Sequence, residues 1–218
     1  MARALERWKS LKEAKGYANL PVPAVESTHP PEISGELILR VFSRDLPRGN
    51  SGNVVRFNPE TDFNRGFTDY VRWAWNENWI GLPRVTDFVP TSDKAEPVSD
   101  AVMRRLSAQV LVDNVRGQVP AWQESQVLIA DMTMRRTSTL EGISLIEYRG
   151  RVSMSAGART ISGTLYGLGQ YSSRERKFRK LEIVMAGQRT GAAQFNRREN
   201  DPGPAPIGFL LTAYSSPD

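Results

Sequence analysis

The stretch Arg159–Gln188, RTISGTLYGLGQYSSRERKFRKLEIVMAGQ, decides the fold class. Two alternating apolar runs flank a polar segment at Ser172–Lys177. A period of two is the signature of a strand with unlike faces, and a short polar break between two such runs is a β-hairpin. In the second run Leu181, Ile183 and Met185 alternate with Lys180, Glu182 and Val184. In the first, Gly163, Gly167 and Gly169 share a face with Leu165. Glycines on one face relieve crowding and let a sheet coil.

Outward from this hairpin, the pattern predicts strands at Gln126–Thr137, Ile143–Met154, Thr160–Tyr171, Phe178–Gly187 and Ile207–Tyr214. Their short linkers favour antiparallel neighbours, with one long Gly/Pro/Asn loop at Gln188–Ala205. Upstream, Glu36–Ser43 (ELILRVFS) is a strand apolar on both faces, so it is expected to be central or covered twice. Asn53–Phe57 reads as a further short strand. Two short helices are expected. One is capped by Thr68, with Val71, Trp75 and Trp79 recurring every four residues. The other spans Val98–Leu106, with Val102, Met103 and Leu106 inward.

The expected organisation is an amphipathic helix over residues 1–20, a Pro-rich linker over 21–32 and a single β-rich domain over 33–214. The expected class is mainly β: an antiparallel meander closing into a β-barrel, with a β-sandwich as the alternative. Closure is favoured because consecutive strands with in-strand glycines suit it.

Composition narrows the chemistry. The chain has 218 residues, 39% of them hydrophobic, which is enough to build a core. It has no cysteine, so disulfides, thiolate metal sites and cysteine nucleophiles are out. Its one histidine, His29, lies in the Pro-rich run, which disfavours a multi-histidine metal site or a Ser-His-Asp triad in the domain. Neither a metal nor a cofactor is expected. The net charge of +5 comes mostly from arginine without a long basic run, as on an ordinary surface. No apolar run approaches the roughly 20 residues that span a bilayer, and residues 1–20 lack the apolar centre of a signal peptide. Composition leaves compartment and oligomeric state open.

Four groups of residues carry candidate chemistry. Trp73, Trp75, Asn76, Glu77 and Trp79 have the makings of a sugar platform, since indoles stack on pyranose faces while amides and carboxylates take hydroxyls; they would equally plug the end of a β domain. Gly163, Gly167 and Gly169 either thin the sheet or open a groove for a ligand, and no helix follows them as a phosphate loop requires. Arg174, Arg176, Lys177 and Arg179 make a basic hairpin tip for an anionic surface or nucleic acid, but Phe178 is the sole ring among them, where single-strand binders use several. Asp62–Asp69 loosely resembles a calcium loop but lacks its third acid and the closing bidentate Glu. A glycosidase-type acid pair would come from Glu77, Asp113, Glu124, Asp131 and Glu147, and spacing selects no pair.

Longer phrases carry a resemblance. VSDAVMRRLSAQVLVDNVRGQVPAWQESQV, ISGTLYGLGQYSSRERKFRKLEIVMAGQRTG and DPGPAPIGFLLTA, with WNENWIGL at Trp75–Leu82, resemble an uncharacterised family of exported proteins from planctomycete bacteria. The resemblance covers Gly35–Ala213. It implies an exported setting and brings no activity and no catalytic residues. The leading expectation is a non-enzymatic binding or structural module of an exported or envelope protein, holding a small apolar or sugar ligand. A carboxylate-dependent hydrolase near Trp73–Trp79 and an anionic-surface binder at the basic tip are the alternatives.

Overall fold

The computed structural model describes residues 33–55 and 74–214, which belong to one compact unit, Glu32–Asp218. Eight strands form a single antiparallel sheet: β1 (Leu37–Asp45), β2 (Trp75–Leu82), β3 (Glu96–Pro97), β4 (Val127–Leu140), β5 (Ile143–Ala156), β6 (Arg159–Ser172), β7 (Lys177–Thr190) and β8 (Ala205–Ala213). Their order across the sheet is β2-β1-β8-β7-β6-β5-β4-β3. The alternation read from the sequence sorts residues onto two faces. Leu39, Met132, Tyr148, Leu165, Ile183 and Phe209 point to the buried inner face. The intervening residues form the outer face.

The inner face is roofed by one α-helix, α1 (Asp100–Gln109), and the segment after it. Ser99 is its N-cap, and Val102, Met103 and Leu106 are its buried stripe, at the spacing of one helical face. Asp100 in its first turn pairs with Arg104 at 2.9 Å. Leu111 and Trp122 extend the roof, tied together by the Trp122 indole N–H donating to the Leu111 carbonyl at 2.9 Å. A 3-10 turn at Val85–Phe88 adds Phe88, whose carbonyl accepts from the buried Tyr148 hydroxyl at 2.6 Å.

The expected barrel is not formed. The sheet is open, with β2 and β3 as its two edges. The edges follow each other in sequence, so the connection 83–95 runs from one end of the strand order to the other. Helix α1 contacts both β2 and β4, so the sheet is curled and the helix stands where closure would bring strands together. On one side, β3 is two residues long and Pro97 has no N–H to donate.

The curl has a local cause. Gly163 and Gly187 oppose each other across β6 and β7, between Val152 on β5 and Ile207 on β8. A Cβ on Gly163 would stand 2.5 Å from the Ala186 carbonyl oxygen and 2.8 Å from the Gly187 Cα. Strands can bend this closely only where side chains are missing.

The helix expected around Thr68–Trp79 is also corrected. Trp75–Leu82 is strand β2, paired along its length with β1, and residues 68–73 lie outside the described residues. The short strand expected at Asn53–Phe57 is reduced to one bridge, Arg48–Val54, with 56–57 outside the described residues. The expected N-terminal helix, the linker, the calcium-like loop and Trp73 also lie outside them. Among the described residues α1 is the single α-helix, and it is neither long nor apolar enough to cross a membrane.

Candidate functional site

The antiparallel register with β1 splits the expected sugar platform between two faces. Trp75, Glu77 and Trp79 lie on the outer face opposite Arg44, Phe42 and Arg40, whereas Asn76 lies on the inner face opposite Ser43. Glu77 is already committed, since both its oxygens accept from the Arg40 guanidinium at 2.8 Å. That bond raises the Arg40 pKa against the opposing effect of burial. Arg40 in turn lies 4.6 Å from the centre of the Phe42 ring and 5.4 Å from that of Trp79. Trp79 also meets Tyr214 edge-on at 5.2 Å. Among the described residues of the platform, Trp75 alone keeps an open ring, 60% exposed and tilted against Phe42 at 6.0 Å.

Gly163, Gly167 and Gly169 lie four strands away from β2 and on the inner face. Neighbours fill the space beside them. A Cβ on Gly167 would meet the Ile183 side chain at 2.6 Å, and one on Gly169 would meet Phe178 and Tyr148 at 3.1–3.2 Å. The glycines let neighbouring side chains pack closely, and they do not converge with the tryptophans.

At the β6–β7 turn, Arg174, Arg176 and Lys177 are exposed, Arg176 with a left-handed φ of 53°. Arg179 donates to Glu175 at 2.7 Å, and Lys180 lies 3.0 Å from Glu182. The arginines of the neighbouring strands are also paired: Arg149 with Glu147 at 2.8 Å, Arg151 with Asp131 at 2.9 Å and Arg136 with Asp93 at 3.2 Å. Acids thus interrupt the basic stripe that an anionic partner requires. Glu147, held below the usual carboxylate range by its bond from Arg149, lies in an open cleft of about 340 Å³ with Ala95, Thr133 and Arg135. Among the described residues it is the one acid lining that cleft, so they bring no acid pair together there.

Comparison with protein-family models, curated proteins and solved structures finds no match to this chain.

Three carboxylates do converge elsewhere, around Arg198. Its guanidinium donates to Asp45 at 2.8 and 2.9 Å, to Asp113 at 2.8 and 3.0 Å and to Asp201 at 3.4 Å. Arg116 joins from the side, 2.9 Å from Asp45 and 3.1 Å from Asp201, and the buried Arg189 holds Asp201. Burial opposes the charge on Arg198, but Asp45 and Asp113 outweigh it and its pKa is raised. Carboxylates locked against guanidinium groups do not serve as general acids; this knot fastens the loop 191–204 to β1 and to the segment after α1. Among the described residues no group of acids or histidines is arranged to hold a metal ion.

The sequence reading also missed the outer face as a surface. Tyr166, Val184, Leu210 and Phe42 stand side by side on β6, β7, β8 and β1, joined by the register. Leu168 is 56% exposed, Val184 47% and Tyr166 46%. The signal was present in the alternation: these are the apolar residues on the face that should have been polar.

Proposed function

We propose that the chain is a non-enzymatic interaction module whose outer sheet face takes up an apolar protein surface. The observation that carries this reading is the apolar strip made by the exposed Tyr166, Leu168 and Val184 with the half-buried Leu210 and Phe42. It is flanked by the pairs Arg149–Glu147 and Arg151–Asp131 on one side and Arg40–Glu77 on the other. An apolar centre with a polar rim is the anatomy of a protein interface, and exposed apolar patches of this kind mark contact sites. The outer face of a curled sheet does not enclose a small ligand, which ordinarily loses 70–90% of its surface in a pocket. The proposed setting is the cell envelope, on the resemblance to exported planctomycete proteins.

Site-specific photo-cross-linking in cells tests the reading. A photoreactive residue at Leu168 or Val184 should give a discrete intermolecular adduct, absent when the same residue replaces the exposed Ser162 or Gln188. Absence of an intermolecular adduct from either strip position, or an adduct confined to the same chain, overturns it.

A second reading places a sugar on Trp75, favoured by the exposure of that ring. It predicts that soluble oligosaccharides quench tryptophan fluorescence in the wild type and not in Trp75→Ala.

A further inference from the structure

We infer that Arg159 is the binding group of an oxyanion site at one end of the inner face, and that its ligand is a small carboxylate or phosphate. The site is separate from the outer strip and does not depend on it.

Arg159 opens β6 and shares the inner face with Ile161. Its guanidinium lies over the buried ring of Trp122, with the central carbon 4.1 Å from the ring centre. A guanidinium laid on an indole has one face covered and keeps its edge for hydrogen bonds in its own plane. At Arg159 that edge is unused. The Nε is buried and has no hydrogen-bond partner among the described residues, and none of their carboxylates pairs with the group. Burial lowers the Arg159 pKa, and the charge of Asp113 opposes this. Asp113 has little more to give, because both its oxygens already accept from Arg198.

The surroundings leave the same deficit. Arg116, Arg189 and Arg198 are matched by Asp45, Asp113 and Asp201, so Arg159 is the cation left over. Arg189, 1% exposed, stands opposite Ile161, two residues along β6 from Arg159. Its Nε also has no partner, and Asp113 Oδ2 is 4.0 Å away. A partly desolvated cation without a counter-charge is costly, and so is a buried N–H without an acceptor. One anion on Arg159 relieves both costs there. The guanidinium edge selects its shape: Nε–H and the neighbouring Nη–H run parallel and match two oxygens of one carboxylate or phosphate. A halide ion offers no such pair.

Nuclear magnetic resonance of the nitrogen-15-labelled full chain tests the inference. The Arg159 side-chain Nε–H signal, assigned through its own backbone, is followed during titration with sodium acetate, with sodium phosphate and with sodium chloride at matched ionic strength. The expected result is a saturable shift with acetate or phosphate and none with chloride. A response to one oxyanion alone assigns the ligand class. Bound ligand should also raise the thermal midpoint. Arg159→Lys keeps the charge and lacks the fork, so the oxyanion should bind it about tenfold or more weakly, with circular dichroism checking its fold. An Nε–H signal that answers neither oxyanion, or answers chloride equally, overturns the inference. So does a folded Arg159→Lys that acetate and phosphate stabilise as strongly as the wild type. If the variant does not fold, the wild-type signal decides alone.

Discussion

Arg198 and Asp45 are 153 residues apart in the chain and form a two-pronged pair in the protein interior, at 2.8 and 2.9 Å. The pair joins the end of β1 to the loop before β8. Asp113 closes the same guanidinium from the other side. Arg198→Ala is expected to destabilise the protein by about 3–5 kcal/mol, because it leaves buried acids without their partner. Arg198→Lys should rescue little, since an ammonium group cannot bridge two carboxylates in the plane of a guanidinium. Urea unfolding of the three proteins measures both effects.

Gly163→Ala is expected to cost about 1–3 kcal/mol by overpacking. The added methyl would stand 2.5 Å from the Ala186 carbonyl and 2.6 Å from the Met185 side chain. Gly203→Ala is the control. Nothing stands within 4 Å of its added methyl, and its thermal midpoint should barely move.

Tyr148→Phe keeps the buried ring on the inner face and removes its hydroxyl donor. The Phe88 carbonyl loses its 2.6 Å donor, and the expected destabilisation is about 1–3 kcal/mol. Burial pushes the Tyr148 hydroxyl pKa up. Alkaline ultraviolet titration of the wild type against Tyr148→Phe should therefore show that the tyrosine lost in the variant ionises only as the protein unfolds.

Glu96 gives a pH signature. Its carboxylate accepts from the hydroxyl and backbone N–H of Ser92 at 2.7 Å each and from the Thr91 N–H at 2.9 Å. These bonds, the Ser92 hydroxyl first, hold its pKa down at about 2. A depressed carboxylate stabilises the fold above its ordinary value, near 4.5, and that contribution is lost as pH falls toward 2. The urea midpoints of wild type and Glu96→Gln should therefore differ at neutral pH and converge in acid. A gap that stays constant down to pH about 2 would sink the assignment.

The strands were legible because alternation is a local property. Ile143, Lys177 and Ala205 begin strands within two residues of where the pattern places them. Openness was not legible. It depends on a two-residue β3 ending in Pro97 and on α1 lying between the ends of a curled sheet, and neither leaves a periodic trace. The Trp75–Trp79 segment carried two periods at once. Spacing of four from Val71 suggested helix, but pairing with β1 selected the period of two. Glycine crowding relief was legible at Gly163, Gly167 and Gly169, because a missing side chain on a strand has few structural meanings. The Arg198 knot was illegible, since its acids come from three distant segments and none has a distinctive neighbourhood. The outer strip was half legible: β1 showed apolar residues on both faces, but the matching rows on β6–β8 emerge only from the register.

The pairing of β1 with β8 also bears on how the protein is made. β1 is among the first parts of the domain to leave the ribosome, and β8 is the last strand to do so. Leu39 and Val41 lie opposite Ala213 and Leu211 in the finished sheet, so β1 has only β2 beside it until β8 has been made. Asp45 waits equally long for Arg198. Such long-range closure is slow and leaves apolar strand edges uncovered meanwhile. Between the making of β1 and the making of β8, the half-built sheet therefore holds out an apolar edge of the kind that chaperones cover.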